Sequence, residues 1–214
     1  MKKIDLMIFD LDGTIADTGR DLVDSINFTL NELGLEKKTE HEIIGYVGDG
    51  VSKLIERVLG TDSVRWHEDA MRIFAGYYGK HLLDKTVLYP HVEDVLKHFK
   101  NKTKIVLTNK RYQFTMMILK GLKIEGYFTE IIGIDSLPFF KPDRRVVEYL
   151  LNKHVYAREN SLMIGDGVND IMTARNSGIL SCACLNGLGK RDDLLKLEAS
   201  YYCEDILEIT SLFE

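Results

Sequence analysis

Five short runs, apolar almost throughout and each closed by turn-forming or polar residues, lie at 4–9, 104–107, 131–134, 162–164 and 180–185. They are too short for helices and do not alternate apolar with polar, so they read as strands buried on both faces, as in a parallel sheet. Between the later runs the apolar residues fall at helical spacing: Val92, Val95, Leu96 and Phe99; Phe114, Met117, Ile118 and Leu122; Val146, Val147, Leu150 and Leu151. From about Val87 onward the chain therefore alternates helix and strand, which predicts an α/β fold with a doubly wound, Rossmann-like parallel sheet. The stretch 16–86 breaks that rhythm. Leu22, Ile26, Leu30 and Leu33 share one helical face with Gly34 as a stop, and further helical patterns run over 51–59 and 70–83 with no convincing strand between them. The simplest division is an α/β core of 1–15 and 87–214 with a small α-helical cap domain, 16–86, inserted after the first strand.

Composition narrows the class. The 214 residues carry 28 Lys+Arg against 33 Asp+Glu, a net charge of −5, with 45% hydrophobic and 29% charged residues, an ordinary globular balance. That field repels phosphate backbones and acidic lipid surfaces, so neither nucleic acid nor a membrane is expected as a partner, and any phosphate must be held by a local site. Met1-Lys2-Lys3 offers a basic start, but the apolar run behind it is too short for a secretion signal. No stretch nears the roughly 18 apolar residues of a membrane span. Cys182, Cys184 and Cys203 are few, odd in number and late in the chain. They read as buried strand thiols, not a disulfide framework, and favour a cytoplasmic protein. The C-x-C pair could also ligate a metal, but no second Cys/His pair stands nearby at zinc spacing.

The first run ends in Asp10-Leu11-Asp12-Gly13-Thr14. In open α/β sheets ligands bind beyond the carboxyl ends of the strands. Two acids spaced by one residue point the same way and repel, a strain that a hard divalent cation relieves. Asp and Gly also make ordinary turns. Three more strand ends carry polar groups: Leu107-Thr108-Asn109, with a hydroxyl and an amide able to donate to phosphate; Lys141-Pro142; and Gly165-Asp166-Gly167-Val168-Asn169-Asp170. Singly, Thr108 could cap a helix, Lys141 could be a solvated charge and Gly165-Asp166-Gly167 a turn. Together and in this order they are hard to attribute to chance.

This constellation resembles the haloacid dehalogenase-like hydrolases, a family of aspartate-nucleophile phosphatases, over essentially the whole chain. Asp10-Leu-Asp12-Gly-Thr14 corresponds to the family's first motif, Thr108 to the second, Lys141 to the third, and Gly165-Asp166 with Asp170 to the fourth. The resemblance implies that Asp10 attacks phosphorus and that Asp12 is general acid, then base. Thr108 and Lys141 would hold the transferring group, and Asn109 and Gly13 would line the phosphate site. It further implies Mg2+ bound by the Asp10 side chain, the Asp12 carbonyl and Asp166, with Asp170 acting through water. In related ion-pumping ATPases a Thr replaces the second acid and leaves the phosphoenzyme long-lived, so Asp12 implies fast turnover.

The inserted helices resemble the cap of the subfamily that holds phosphoglycolate phosphatase and β-phosphoglucomutase. Gly48-Asp49-Gly50 followed by Val51, Lys53, Leu54 and Arg57 resembles the cap loop and helix of the former, with Gly48, Gly50, Lys53 and Arg57 as candidate substrate contacts. Lys53 and Arg57 share a helix face, which could equally be a solvated charged face beside Glu56. The pattern departs from the family at Asp143-Arg144, where a second proline is common, at His91, where Gly is usual, and at Gly167-Val168-Asn169, where Ser or Thr is more frequent. The resulting expectation is a cytoplasmic, Mg2+-dependent phosphatase, monomer or homodimer, acting on a small phosphorylated metabolite, with 2-phosphoglycolate leading. Sugar-phosphate phosphatase or phosphoglucomutase-like, nucleotidase and pyrophosphatase activities are the alternatives. A phosphoaspartate signalling receiver is remote, because receivers carry no helical insertion after the first strand.

Overall fold

A computed structural model describes residues 1–214. Along the chain, β1 (Leu6–Phe9) leads to the short β2 (Ala16–Asp17), then to helices α1 (Gly19–Glu32), α2 (Glu40–Ile44), α3 (Val51–Leu59) and α4 (Ser63–His81), and to β3 (Val87–Leu88). There follow α5 (Val92–His98), β4 (Thr103–Leu107), α6 (Tyr112–Gly121), β5 (Glu130–Ile132), α7 (Arg144–His154) and β6 (Ser161–Gly165). The chain closes with α8 (Val168–Ser177), β7 (Leu180–Cys184), α9 (Arg191–Lys196), β8 (Tyr201–Cys203) and α10 (Ile209–Leu212). Six strands form one sheet in the order β5–β4–β1–β6–β7–β8, every pairing parallel.

Strand periodicity sends alternate residues to opposite faces. Met7, Phe9, Val106, Leu162, Ile164 and Cys182 join the apolar cluster that holds α5, α6 and α10. Leu6, Ile8, Ile105, Leu107 and Met163 join the cluster of α7 and α8 on the other side. Both faces are thus covered, which is why the runs read as continuously apolar. The register brings Phe9 level with Val106 and with Ile164. Asp10, Thr108 and Asp166 therefore emerge side by side from the carboxyl edge of three adjacent strands.

α1–α4 lie between the two strands of an antiparallel ribbon, where Ala16 pairs with Leu88 and Asp17 with Val87. Buried Asp21 fastens this base, accepting hydrogen bonds from the Lys85 and Thr86 backbone N–H groups and from the Thr86 hydroxyl at 2.8 Å. Leu22, Ile26 and Leu30 are buried as their spacing requires, and Gly34 takes the left-handed conformation that ends α1 (φ +70°). Several elements differ from the sequence reading. α4 begins at Ser63, not near 70, because its first turns are exposed (Val64 fully so) and carry no apolar period. β1 starts at Leu6, since the Ile4 N–H instead meets the Glu214 carbonyl at 2.8 Å. β5 ends at Ile132, where Ile134 turns away to bond the Lys110 carbonyl. The ribbon, α2 and β8 were not anticipated.

Cys182, Cys184 and Cys203 are buried, unpaired strand thiols, with the Cys203 Sγ 3.8 Å from that of Cys182 and 3.6 Å from that of Cys184. His91, where the family favours Gly, adopts a left-handed conformation (φ 61°) ahead of α5 and pairs with Asp205 at 2.7 Å. A glycine would reach that conformation without strain. No helix is long and apolar enough to cross a membrane.

Candidate active site

The ends of β1, β4 and β6 place their polar residues in a single cluster, joined by Lys141, which lies not at a strand end but in the loop between β5 and α7. Lys141, 2% exposed, sits between two acids, with Nζ 2.9 Å from Asp10 Oδ1 and 2.6 Å from Asp170 Oδ1. Asp10 Oδ1 also accepts from the Leu11 N–H at 2.7 Å, leaving Oδ2 without a protein donor. Asp166 accepts the Thr14 hydroxyl on Oδ1 at 2.8 Å and the Leu188 and Gly189 N–H groups on Oδ2 at 2.8 and 3.0 Å. Asp170 Oδ2 takes the Gly167 N–H at 2.9 Å, so both of its oxygens are held by protein donors.

Oxygens of Asp10, Asp166 and Asp170 come within 4.8 Å of one another. Burial and the neighbouring Asp170 push the Asp10 carboxyl up to about 8 against the pull of Lys141. Burial and Asp170 likewise raise Asp166, to about 6. Three crowded carboxylates face one ammonium, so the site is short of positive charge. Hard oxygen donors in such a deficit fit a divalent cation, and members of the family generally use one. Gly13 is shaped by the same crowding: its φ is +84°, and a Cβ there would lie 2.0 Å from Asp166 Oδ2.

Thr108 is buried, and its hydroxyl oxygen accepts the Lys110 N–H at 3.2 Å, leaving the O–H to donate. The Asn109 amide does not offer its donors to phosphate, because Nδ2 spans the Gly48 carbonyl at 3.0 Å and the Lys141 carbonyl at 3.1 Å. The Gly13 N–H is also spent, on the Ala16 carbonyl at 3.0 Å. The backbone N–H groups of Asp12 and Asn109, by contrast, meet no protein acceptor. Asp12 accepts from the Thr18 hydroxyl at 2.6 Å and from Lys110 Nζ at 2.8 and 3.1 Å.

A cavity of about 80 Å³ opens over these groups. Its floor includes Asp10, Asp12, Thr108, Asn109, Lys110 and Asp166, and its opposite wall comes from α1, α3, α4 and the loop at Gly48 and Gly50. Gly50, also left-handed, leaves room for Ile134, whose Cδ1 would be 2.8 Å from a Cβ. Lys53 and Arg57 do not line the cavity. Lys53 pairs with Glu56 on the exposed face at 2.7 Å, and Arg57 bonds Asp49 at 2.5 Å and the Tyr46 carbonyl at 3.2 Å. Arg57 thereby steadies the loop whose Asp49 and Gly48 also accept from Asn169 Nδ2, at 2.7 and 3.1 Å. The cations the cavity does contain are Lys110 and Arg111, which the sequence reading passed over although they directly follow Thr108-Asn109.

Comparison with known proteins agrees with this geometry. Residues 7–184 match the haloacid dehalogenase-like hydrolase family. A phosphoglycolate phosphatase of Vibrio cholerae is 31% identical over 215 residues, covering 96% of this chain and 95% of its own. One from Neisseria gonorrhoeae is 34% identical, covering 88% and 83%. Among solved structures, a predicted phosphoglycolate phosphatase from Haemophilus somnus superimposes with a TM-score of 0.94 at 27% identity over 99% of both chains. A haloacid dehalogenase-like hydrolase of Streptococcus pneumoniae gives 0.89, again at 27% identity and 99% coverage of both.

Proposed function

Since the chain belongs to the haloacid dehalogenase-like hydrolases and is a phosphomonoester hydrolase, we propose that it hydrolyses 2-phosphoglycolate through an aspartyl phosphate on Asp10, with Mg2+ as its cation. The observation that carries this reading is Lys141 joined to Asp10 and Asp170 at 2.9 and 2.6 Å, beside an Asp10 oxygen that has no other donor. Asp10 Oδ2 attacks phosphorus in line with the departing ester oxygen. Lys141 offsets the charge that would repel a carboxylate from a phosphate, and Asp170 holds Lys141 in place. The unpartnered N–H groups of Asp12 and Asn109 and the Thr108 hydroxyl orient the phosphoryl oxygens, the positioning on which phosphoryl transfer chiefly depends. Asp12 gives a proton to the leaving oxygen, then takes one from the water that cleaves the acyl phosphate, help typically worth about 10²–10⁴-fold. Mg2+, held by Asp10, Asp166 and the Asp12 carbonyl, would withdraw charge from the phosphoryl group.

Residues 16–86 act as a cap that closes over the bound ester and excludes water. The three unpaired thiols fit a reducing cytoplasm. The substrate assignment draws on the relatives' names and on a cavity that is small and largely apolar. Two measurements test the proposal. Rapid-quench mass spectrometry with Mg2+ is expected to find the phosphoryl adduct on Asp10, and an adduct elsewhere overturns the mechanism. A panel of phosphorylated metabolites is expected to rank 2-phosphoglycolate first by kcat/KM, and a hexose phosphate or nucleotide in first place overturns the substrate.

A further inference from the structure

The wall facing the Asp10 site is apolar: Leu22, Val47, Val51, Leu54, Phe74 and Phe114 line it. One polar side chain interrupts that surface, and Lys110 of the floor reaches up to it. Tyr78 of α4 is 1% exposed, and its hydroxyl is buried with no hydrogen-bond partner. Lys110 lies against it, with Nζ 4.8 Å from the centre of the Tyr78 ring, while the same Nζ bonds both oxygens of Asp12. An ammonium has three donors and no acceptor; Asp12 takes two of them, and the third is turned toward the Tyr78 side chain, where an anion entering the cavity can compete for it. Buried hydroxyls are nearly always paired, and one left unpaired at a cavity wall points to a ligand.

We propose that Lys110 and Tyr78 form the subsite that recognises the leaving group, and that it selects short phosphomonoesters bearing a carboxylate close to the ester oxygen. The proposal rests on the hydrolase reading above and deepens it. If Asp12 serves the ester oxygen, a cation 2.8 Å from Asp12 stands where a carboxylate on the adjacent carbon must fall. Binding such a substrate moves Lys110 from Asp12 to the substrate anion, with the Tyr78 hydroxyl as second donor, and frees the Asp12 carboxyl to face the leaving oxygen. A sugar or other polyol would press its hydroxyls against aliphatic and aromatic carbon with too few partners, and a site of this kind rejects such a group. Arg57, tied to Asp49 outside the cavity, takes no part.

The test compares kcat/KM for 2-phosphoglycolate with that for 2-hydroxyethyl phosphate, which has the same length and no carboxylate. Tyr78→Phe removes only an oxygen without a protein partner. It is expected to lower the preference for the acidic ester about tenfold, the value of one hydrogen bond. Lys110→Met is expected to lower it about a hundredfold, as for a charge-assisted pair, and Lys110→Arg to restore part of it. If all three variants keep the wild-type ratio, with any loss shared equally by both esters, Lys110 only positions Asp12 and the proposal fails. If Lys110→Met does not fold, Tyr78→Phe decides alone. A wild-type enzyme that shows no preference for the acidic ester overturns the substrate reading as well, an outcome distinct from a preference that survives in the variants.

Discussion

On the sheet side of the cavity, Lys141 bridges Asp10 and Asp170, Lys110 pairs with Asp12, and Asp166 is held by neutral donors, a charged mesh in which Lys141 and Asp170 are almost wholly buried. On the helical side, α1, α3 and α4 offer carbon, and Tyr78 adds one unpaired hydroxyl. The difference divides the work. Such a mesh depends on its cations: removing Lys141 leaves buried carboxylates uncompensated, which is far more damaging than losing an exposed pair. An apolar wall can be recut without that penalty, because aliphatic surface makes no directional demands. The sheet side therefore concentrates the charge of the cavity, and the helical side its apolar surface.

The largest effect expected from breaking the mesh is that of Lys141→Met. It leaves Asp10 and Asp170 buried without their shared cation. Activity toward any phosphomonoester should fall by about 10³-fold or more, in the range for removing a charge that stabilises phosphoryl transfer. Denaturant unfolding should show a loss of about 3–5 kcal/mol, the usual result of breaking a buried ion pair. A variant of wild-type stability and more than a tenth of wild-type activity would mean the mesh does not depend on that cation.

A second prediction sharpens the comparison without mutation. Asp10 and Asp166 hold their protons more tightly folded than unfolded, at about 8 and about 6. Their contribution to the stability of the metal-free fold is therefore greatest below the ordinary carboxylate range, near pH ~4, and is lost as pH rises through 6 and 8. A divalent cation supplies the missing charge where those protons have left. Saturating Mg2+ should then raise Tm by several degrees at pH 8, on the order of 5–10 °C for a cation at about a hundred times its Kd. At pH 5 the rise should be markedly smaller. Equal shifts at the two values would remove the charge deficit as the basis of metal binding.

The smallest effect is assigned to Arg57→Ala. Its pair with Asp49 is more than a third exposed, and such pairs contribute roughly 0–1 kcal/mol. Activity should change by less than about threefold, equally for acidic and neutral esters. A selective loss on 2-phosphoglycolate would return Arg57 to the substrate and weaken the contrast between the two walls.

Much of this is legible in the sequence. The strands that carry Asp10, Thr108 and Asp166 are encoded by local runs of apolar residues, and their carboxyl ends mark where ligands bind. What escaped was encoded non-locally. Lys110 stands next to Thr108-Asn109, yet its role depends on Asp12, 98 positions away. Tyr78 sits in the apolar stripe of α4 and is spelled like any core aromatic; only the facing cavity distinguishes it. For Lys53 and Arg57, helical spacing told which residues share a face but not what lies opposite, and that turned out to be Glu56, Asp49 and solvent. β8 is three residues at the sheet edge, too short to carry a period. His91 departs from the usual glycine yet keeps the left-handed turn, its ring paired with Asp205.

Asn109 has a mechanical consequence. One amide group grips the Gly48 carbonyl on the helical side and the Lys141 carbonyl on the sheet side. The same amide thus ties the loop before α3 to the segment that carries Lys141, so the two sides of the cavity share one side chain as a strut.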